Sequence, residues 1–241
     1  DRDTIYQVSL LQGLTFGDYH GNVTVKELKR HGNIGIGTFD GLNGELIMLD
    51  GVVYRAAGDG SVEVVSNKET IPFSNVTYLD ADKTKNLKNV ADYKELCGEL
   101  NKLVEERGKN RFYMIRIDGL FKEINVRSVR AQNEPYKPLV KVLEYDQTFF
   151  DYKDIEGSIV GLYCPPYMSS LNAVGWHMHF ISKDKTRGGH ILGVNIVDAN
   201  LTWDDTNAFQ MLLPQNKMFT GFDLTIDQSE DIKKVETDIR K

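Results

Sequence analysis

The chain has little of what several large function classes require. Two cysteines in 241 residues cannot make a disulfide scaffold. Cys97 sits in a helical pattern and Cys164 stands before Pro165-Pro166; whether they pair is open. There is no Cys-x-x-Cys, so a zinc ribbon is excluded. No apolar run approaches the roughly eighteen residues that span a bilayer. Neither a glycine-rich phosphate loop nor an internal repeat is present. No basic stretch is interleaved with aromatics, and the formal net charge is −6. A polyphosphate partner would be repelled, which argues against nucleic acid. The first residues, Asp1-Arg2-Asp3, show no Met and no apolar signal region. The expected location is cytoplasmic, with secretion open if a signal was removed.

What remains is an ordinary globular composition, 41% hydrophobic and 27% charged, enough for one large domain or two small, closely packed parts. Histidine is scarce but unevenly placed. Three of five fall within fourteen positions, His177, His179 and His190. In a strand, His177 and His179 share a face while Trp176, Met178 and Phe180 take the other, apolar one. The segment 182–187 is polar. A hairpin folded about Asp184–Lys185 sets His179 opposite His190, and paired residues on one face lie roughly 4.5–5.5 Å apart. A lone His-x-His pair is weak, because alternation makes such pairs by chance. Three converging imidazoles outline a metal site with a vacant position, as catalytic zinc uses. His20 in a loop and His31 in the last turn of a short helix read as structural or solvated.

Elsewhere the pattern is mixed. Residues 8–16 form an apolar patch broken by Gln12 and Gly13. Thr24 and Glu27 have capping-box spacing before a helix ending near Gly32. Residues 34–65 read as short strands with turns at Asp40-Gly41, Asn43-Gly44, Asp50-Gly51 and Asp59-Gly60. Glu45 shares a face with Ile47 and Leu49, as a frayed strand end, the plainer reading, or as an inward functional group. Tyr93, Leu96, Cys97, Leu100, Leu103 and Val104 repeat at helical spacing, and Gly108 stops that helix. Strands are expected at 112–120, 124–129 and 157–163. Arg127 is either a surface side chain or a guanidinium aimed into a cleft, where it would grip a carboxylate. Pro135-Tyr136-Lys137-Pro138 marks a boundary, giving parts 1–138 and 139–241. The tail, 227–241, alternates acids and bases and is helical or mobile, with Glu236 in it as a solvated residue on the plain view.

Several stretches are more specific. Gly44-Glu45-Leu46-Ile47 through Asp50-Gly51, Ile115-Arg116-Ile117-Asp118-Gly119-Leu120-Phe121, the run Gly175-Trp176-His177-Met178-His179-Phe180, and Gly188-Gly189-His190 resemble the bacterial alpha-acetolactate decarboxylases over nearly the whole chain. The resemblance implies an α/β fold (mixed α+β) of mixed and antiparallel sheets with flanking helices, usually dimeric. It implies zinc held by His177, His179 and His190, with Glu45, Arg127 and, through a tail folding back over the metal, Glu236 as catalytic residues. The implied reaction converts 2-acetolactate to acetoin and carbon dioxide through a metal-stabilised enediolate, with Arg127 neutralising charge and the glutamates moving protons. Two other readings are a cupin-like oxygenase or isomerase and a non-enzymatic metal-binding protein. The first wants a glutamate soon after His-x-His, where Lys183 and Asp184 stand, and a later, more distant histidine, which is absent.

Overall fold

The structure of the chain, a computed structural model, describes residues 2–80 and 83–236. The turn signals act where expected. At Asp50-Gly51 both residues have positive φ, 51° and 76°, as a two-residue hairpin turn requires. Leu49 therefore pairs with Val52, and strand Glu45–Leu49 runs antiparallel to Val52–Ala56. They belong to a seven-stranded sheet in the order Ala208–Leu212, Thr4–Val8, Ser74–Thr77, Ile34–Thr38, Glu45–Leu49, Val52–Ala56, Val62–Val64. The one parallel pairing is between its first two members. Glu45–Leu49 is buried on both faces. Ile47 and Leu49 pack with Ile5, Val160 and Leu162, while Leu46 and Met48 pack with Tyr6, Phe39 and Val53.

The second sheet is built from longer strands than expected. Residues 112–120 and 124–129 form one strand, Phe112–Val129. The polar interval between them is a set of register shifts around Leu120–Glu123, not an end. Ladder bonds on both edges carry the strand through, to Gln147–Cys164 on one side and Gly188–Thr206 on the other. Gln147–Cys164 starts ten residues before the expected 157; in its first half the exposed Asp151, Lys153 and Asp154 interrupt the apolar pattern of Phe149, Phe150, Tyr152 and Ile155. Gly175–Ser182 pairs with Gln147–Cys164 and with the start of Gly188–Thr206, closing a circuit of four strands. Lys83–Val90 adds to the free part of Gly188–Thr206. One sheet thus draws on residues 4–77 and 208–212, the other on 83–206, and position 138 falls inside the span of the second.

Helices cover this frame. Tyr93–Arg107 starts where the Asp92 carboxylate accepts from the Glu95 backbone N–H and stops at Gly108. It lays Leu96, Leu100, Leu103 and Val104 on a core containing Tyr113, Phe121, Met178 and Phe180. Each such leucine contributes roughly 2 kcal/mol by burial. At Thr24 only half of the capping box forms: its hydroxyl accepts from the Glu27 N–H, while the Glu27 carboxylate pairs with Arg30. The tail forms a helix, Ser229–Glu236, with Ile232 and Val235 buried against Leu11, Leu14, Leu139 and Leu143. Residues 237–241 of the tail lie outside the described residues. No helix among those described is long and apolar enough to cross a membrane.

Candidate metal centre and active site

The histidine hairpin has the register read from its turn: His179 pairs directly with His190. The turn is tied by Asp184, whose Oδ1 accepts from the Thr186 N–H and hydroxyl and from the Ser182 hydroxyl. One strand further, Arg127 pairs with His190. Arg127, His190 and His179 therefore stand in a row across three adjacent strands. Gly189 permits that approach. A Cβ there would lie 2.6 Å from the Arg127 carbonyl oxygen, and its φ is +153°.

His177 Nε2 lies 3.1 Å from His179 Nε2 and 3.0 Å from His190 Nδ1. His179 Nδ1 is 2.8 Å from the Leu46 carbonyl oxygen. A carbonyl only accepts, so Nδ1 carries the proton and Nε2 presents its lone pair to the cluster. Burial pushes the pKa of all three imidazoles down, with the Arg127 guanidinium adding to it, and His177 falls to about 3. With neutral rings, at most one linear hydrogen bond satisfies the two contacts at His177 Nε2. A cation among the three nitrogens satisfies all of them. Nitrogens on one tetrahedral zinc, each about 2.0–2.1 Å from it, would be roughly 3.3–3.4 Å apart, close to the spacing found. The residues fit a metal ion of that kind, and this is the buried cluster among the described residues with such geometry.

Two carboxyl groups flank the imidazoles. Glu45, from the seven-stranded sheet, places Oε2 3.4 Å from His179 Nε2. Glu236, at the end of the tail helix, places Oε2 3.8 Å from Nε2 of both His177 and His190. Burial raises the pKa of each to about 7 against the pull of Arg127, and Glu236 further raises that of Glu45. Arg127 is 6% exposed, and its Nε has no partner. Glu45, Arg127, His177, His190 and Glu236 line one cavity of about 50 Å³. All six residues singled out in the sequence come together here. A wider groove of about 410 Å³, around Arg116, Asp118, Ser158 and Lys183, shares no lining residue with it. Arg116 there pairs with Asp118 and Asp50 at 2.6 and 2.7 Å.

Sequence reasoning missed three contributions. The Leu46 carbonyl orients His179, which no side-chain pattern reveals. Thr38 donates to the Gly44 carbonyl at 2.8 Å and braces the turn entering Glu45. Leu11 and Leu14 of the 8–16 patch, with Phe73, Leu139 and Leu143, form the apolar wall.

A sequence model of the family described as alpha-acetolactate decarboxylase matches residues 5–226. This chain belongs to the alpha-acetolactate decarboxylase family. The alpha-acetolactate decarboxylase of Methanosarcina mazei is 38% identical over 97% of this chain and 80% of its own length. That of Bacillus subtilis strain 168 is 35% identical over 97% and 89%. The crystal structure of alpha-acetolactate decarboxylase from Bacillus subtilis strain 168 superposes with a TM-score of 0.93 at 33% identity, covering 98% of this chain and 100% of that one. The mixed sheets and flanking helices expected from the resemblance are those of this family.

Proposed function

We propose that this chain is a carboxy-lyase that converts 2-acetolactate to acetoin and carbon dioxide, with zinc held by His177, His179 and His190. One observation carries the reading. The imidazoles of His177 and His190, two carboxyls poised near neutrality and a guanidinium with an unpartnered Nε line one cavity, and the third imidazole, His179, stands 3.1 Å from His177. A zinc ion held there would supply a Lewis acid, so no organic electron sink would be needed.

The remaining work falls to side chains. The Arg127 guanidinium, unpartnered at Nε, binds the substrate carboxylate and offsets negative charge as the bond to carbon dioxide breaks. The electron pair of that bond flows toward the ketone and leaves an enediolate. Glu45 and Glu236, with pKa values of about 7, take the hydroxyl proton and return one to carbon. Near neutral pH such groups act as acid or base with little driving force lost. The wall of Leu11, Leu14, Phe73, Leu139 and Leu143 keeps bulk water from protonating the enediolate at random, so one face is served and acetoin leaves chiral. Acetoin formation from racemic 2-acetolactate, with metal intact, chelated and restored with zinc, is the test. The expected result is acceleration over the spontaneous rate, lost on chelation and recovered with zinc. No acceleration by folded, zinc-loaded protein would sink the proposal.

A further inference from the structure

Glu236 is reached only through the C-terminal segment, and that segment docks on the interruption in the apolar patch of residues 8–16. Gln12, only 1% exposed, donates from its side-chain amide to the carbonyls of Leu224 and Ile226 at 3.1 and 2.6 Å. Beside it, Gly13 makes room for Phe219, whose ring carbons would be 3.3 Å from a Cβ at that position. Further along, buried Asp18 accepts from the Asn216 amide at 2.9 Å. A polar residue and a glycine in an otherwise apolar stretch thus face the chain that delivers the tail helix.

We infer that Gln12 is a positioning residue for the reaction: its amide clamps the 224–226 backbone and thereby sets where Glu236 stands against the imidazoles. The two carbonyls it holds belong to half-buried or exposed residues. Without Gln12 they can turn to water, so the segment loosens while the sheets keep their packing. The last clamped residue is ten positions before Glu236, and the intervening helix packs through Ile232 and Val235 against Leu11, Leu14, Leu139 and Leu143. Apolar contacts are non-directional and do not replace two directed hydrogen bonds. A displacement of about 1 Å in a catalytic group costs up to roughly 100-fold in rate.

The kinetic part of this inference rests on the decarboxylase reading; the structural part does not. The variant is Gln12→Met, of similar volume and without donors, assayed as zinc-loaded full chain beside Glu236→Gln and the double variant. Expected are a roughly 10- to 100-fold fall in kcat with a much smaller change in KM, and faster amide exchange confined to residues 213–236. The double variant should be no slower than Glu236→Gln alone, because residues acting as one unit are not additive. A wild-type kcat in Gln12→Met, or losses that multiply in the double variant, would overturn the role. If wild-type protein forms no acetoin, the decarboxylase reading falls and exchange alone decides: a loosened tail supports the clamp, an unchanged one removes it. Should Gln12→Met fail to fold, Asn216→Ser, which keeps a capping hydroxyl and loses the reach to Asp18, must show the same non-additivity with Glu236→Gln, or the docking argument fails.

Discussion

His20 and the triad of His177, His179 and His190 show what one side chain does in two settings. His20 has Asp18 on one ring nitrogen at 2.8 Å and Glu134 on the other at 2.5 Å. Partial burial works against its proton, but the two hydrogen bonds and the charges behind them win, and its pKa rises. The triad has mainly other imidazoles for neighbours, is largely buried, and its pKa values fall. The first arrangement is satisfied by protonation. The second rejects a proton and leaves converging lone pairs that only a cation satisfies. Acidic residues are near both, but Glu45 and Glu236 are themselves buried and pushed toward neutrality, so they do not charge the imidazoles as Asp18 and Glu134 charge His20.

The comparison breaks most visibly on losing one imidazole. His179→Ala should release the metal and cut acetoin formation by about 10³-fold or more, a part of the acceleration enzymes commonly provide. Metal content and turnover are read together, and the matching His20→Ala should keep both. Next is Arg127→Lys, which retains the charge but loses the planar fork. A fall of about 100-fold in kcat is expected, the usual cost of one transition-state donor, and wild-type turnover would remove Arg127 from the mechanism.

Smaller and opposite effects are expected from pH in metal-stripped protein. The folded pKa of His177, about 3, lies below the unfolded value, so the unfolded chain binds more protons between that value and about 6.5. Stability is lost as pH falls through this window. For His20 the folded pKa is raised, so its contribution is present at low pH and lost as pH rises. His177→Asn should therefore flatten the acid fall in Tm, and His20→Asn should steepen it. The smallest effect concerns the thiols. Burial raises the pKa of Cys97 to about 11, and that of Cys164 rises further. In folded protein at pH 8 both should alkylate at least about tenfold more slowly than an ordinary thiol, and Cys97→Ser with Cys164→Ala should leave metal content unchanged.

How much of this was legible in the sequence differs residue by residue. The pairing of His179 with His190 follows from a short turn and strict alternation, both local. Glu45 was harder. Its strand is apolar on both faces because the second sheet packs on one side and Val25, Leu28, Phe39 and Ile71 on the other, so alternation could not say which face opens on a site, and a frayed end was the plainer reading. Arg127 followed a polar interval that looked like a break and is a register shift within one strand. The expected strand 157–163 began at Gln147 instead, because hydrogen bonding to Phe112–Val129 carries the strand through a stretch where exposed Asp151, Lys153 and Asp154 interrupt the apolar pattern. Gln12 and Gly13 were visible as an irregularity, but their meaning depends on a segment near the other end of the chain.

The sequence by itself determined the elements closed by near neighbours: the Asp50-Gly51 hairpin, the helix from Asp92 to Gly108, and the histidine register. In each, steric limits on φ or a hydrogen bond a few residues away settles the conformation, and no distant contact is required. Tertiary structure alone decided that Glu45, Arg127 and Glu236 meet the imidazoles: Arg127 arrives by pairing of distant strands beside His190, Glu45 by the stacking of one sheet on the other, and Glu236 by the docking of the tail on residues 11–18. It also decided their protonation, since removal from water, not residue type, makes three histidines neutral and holds two glutamates near pH 7.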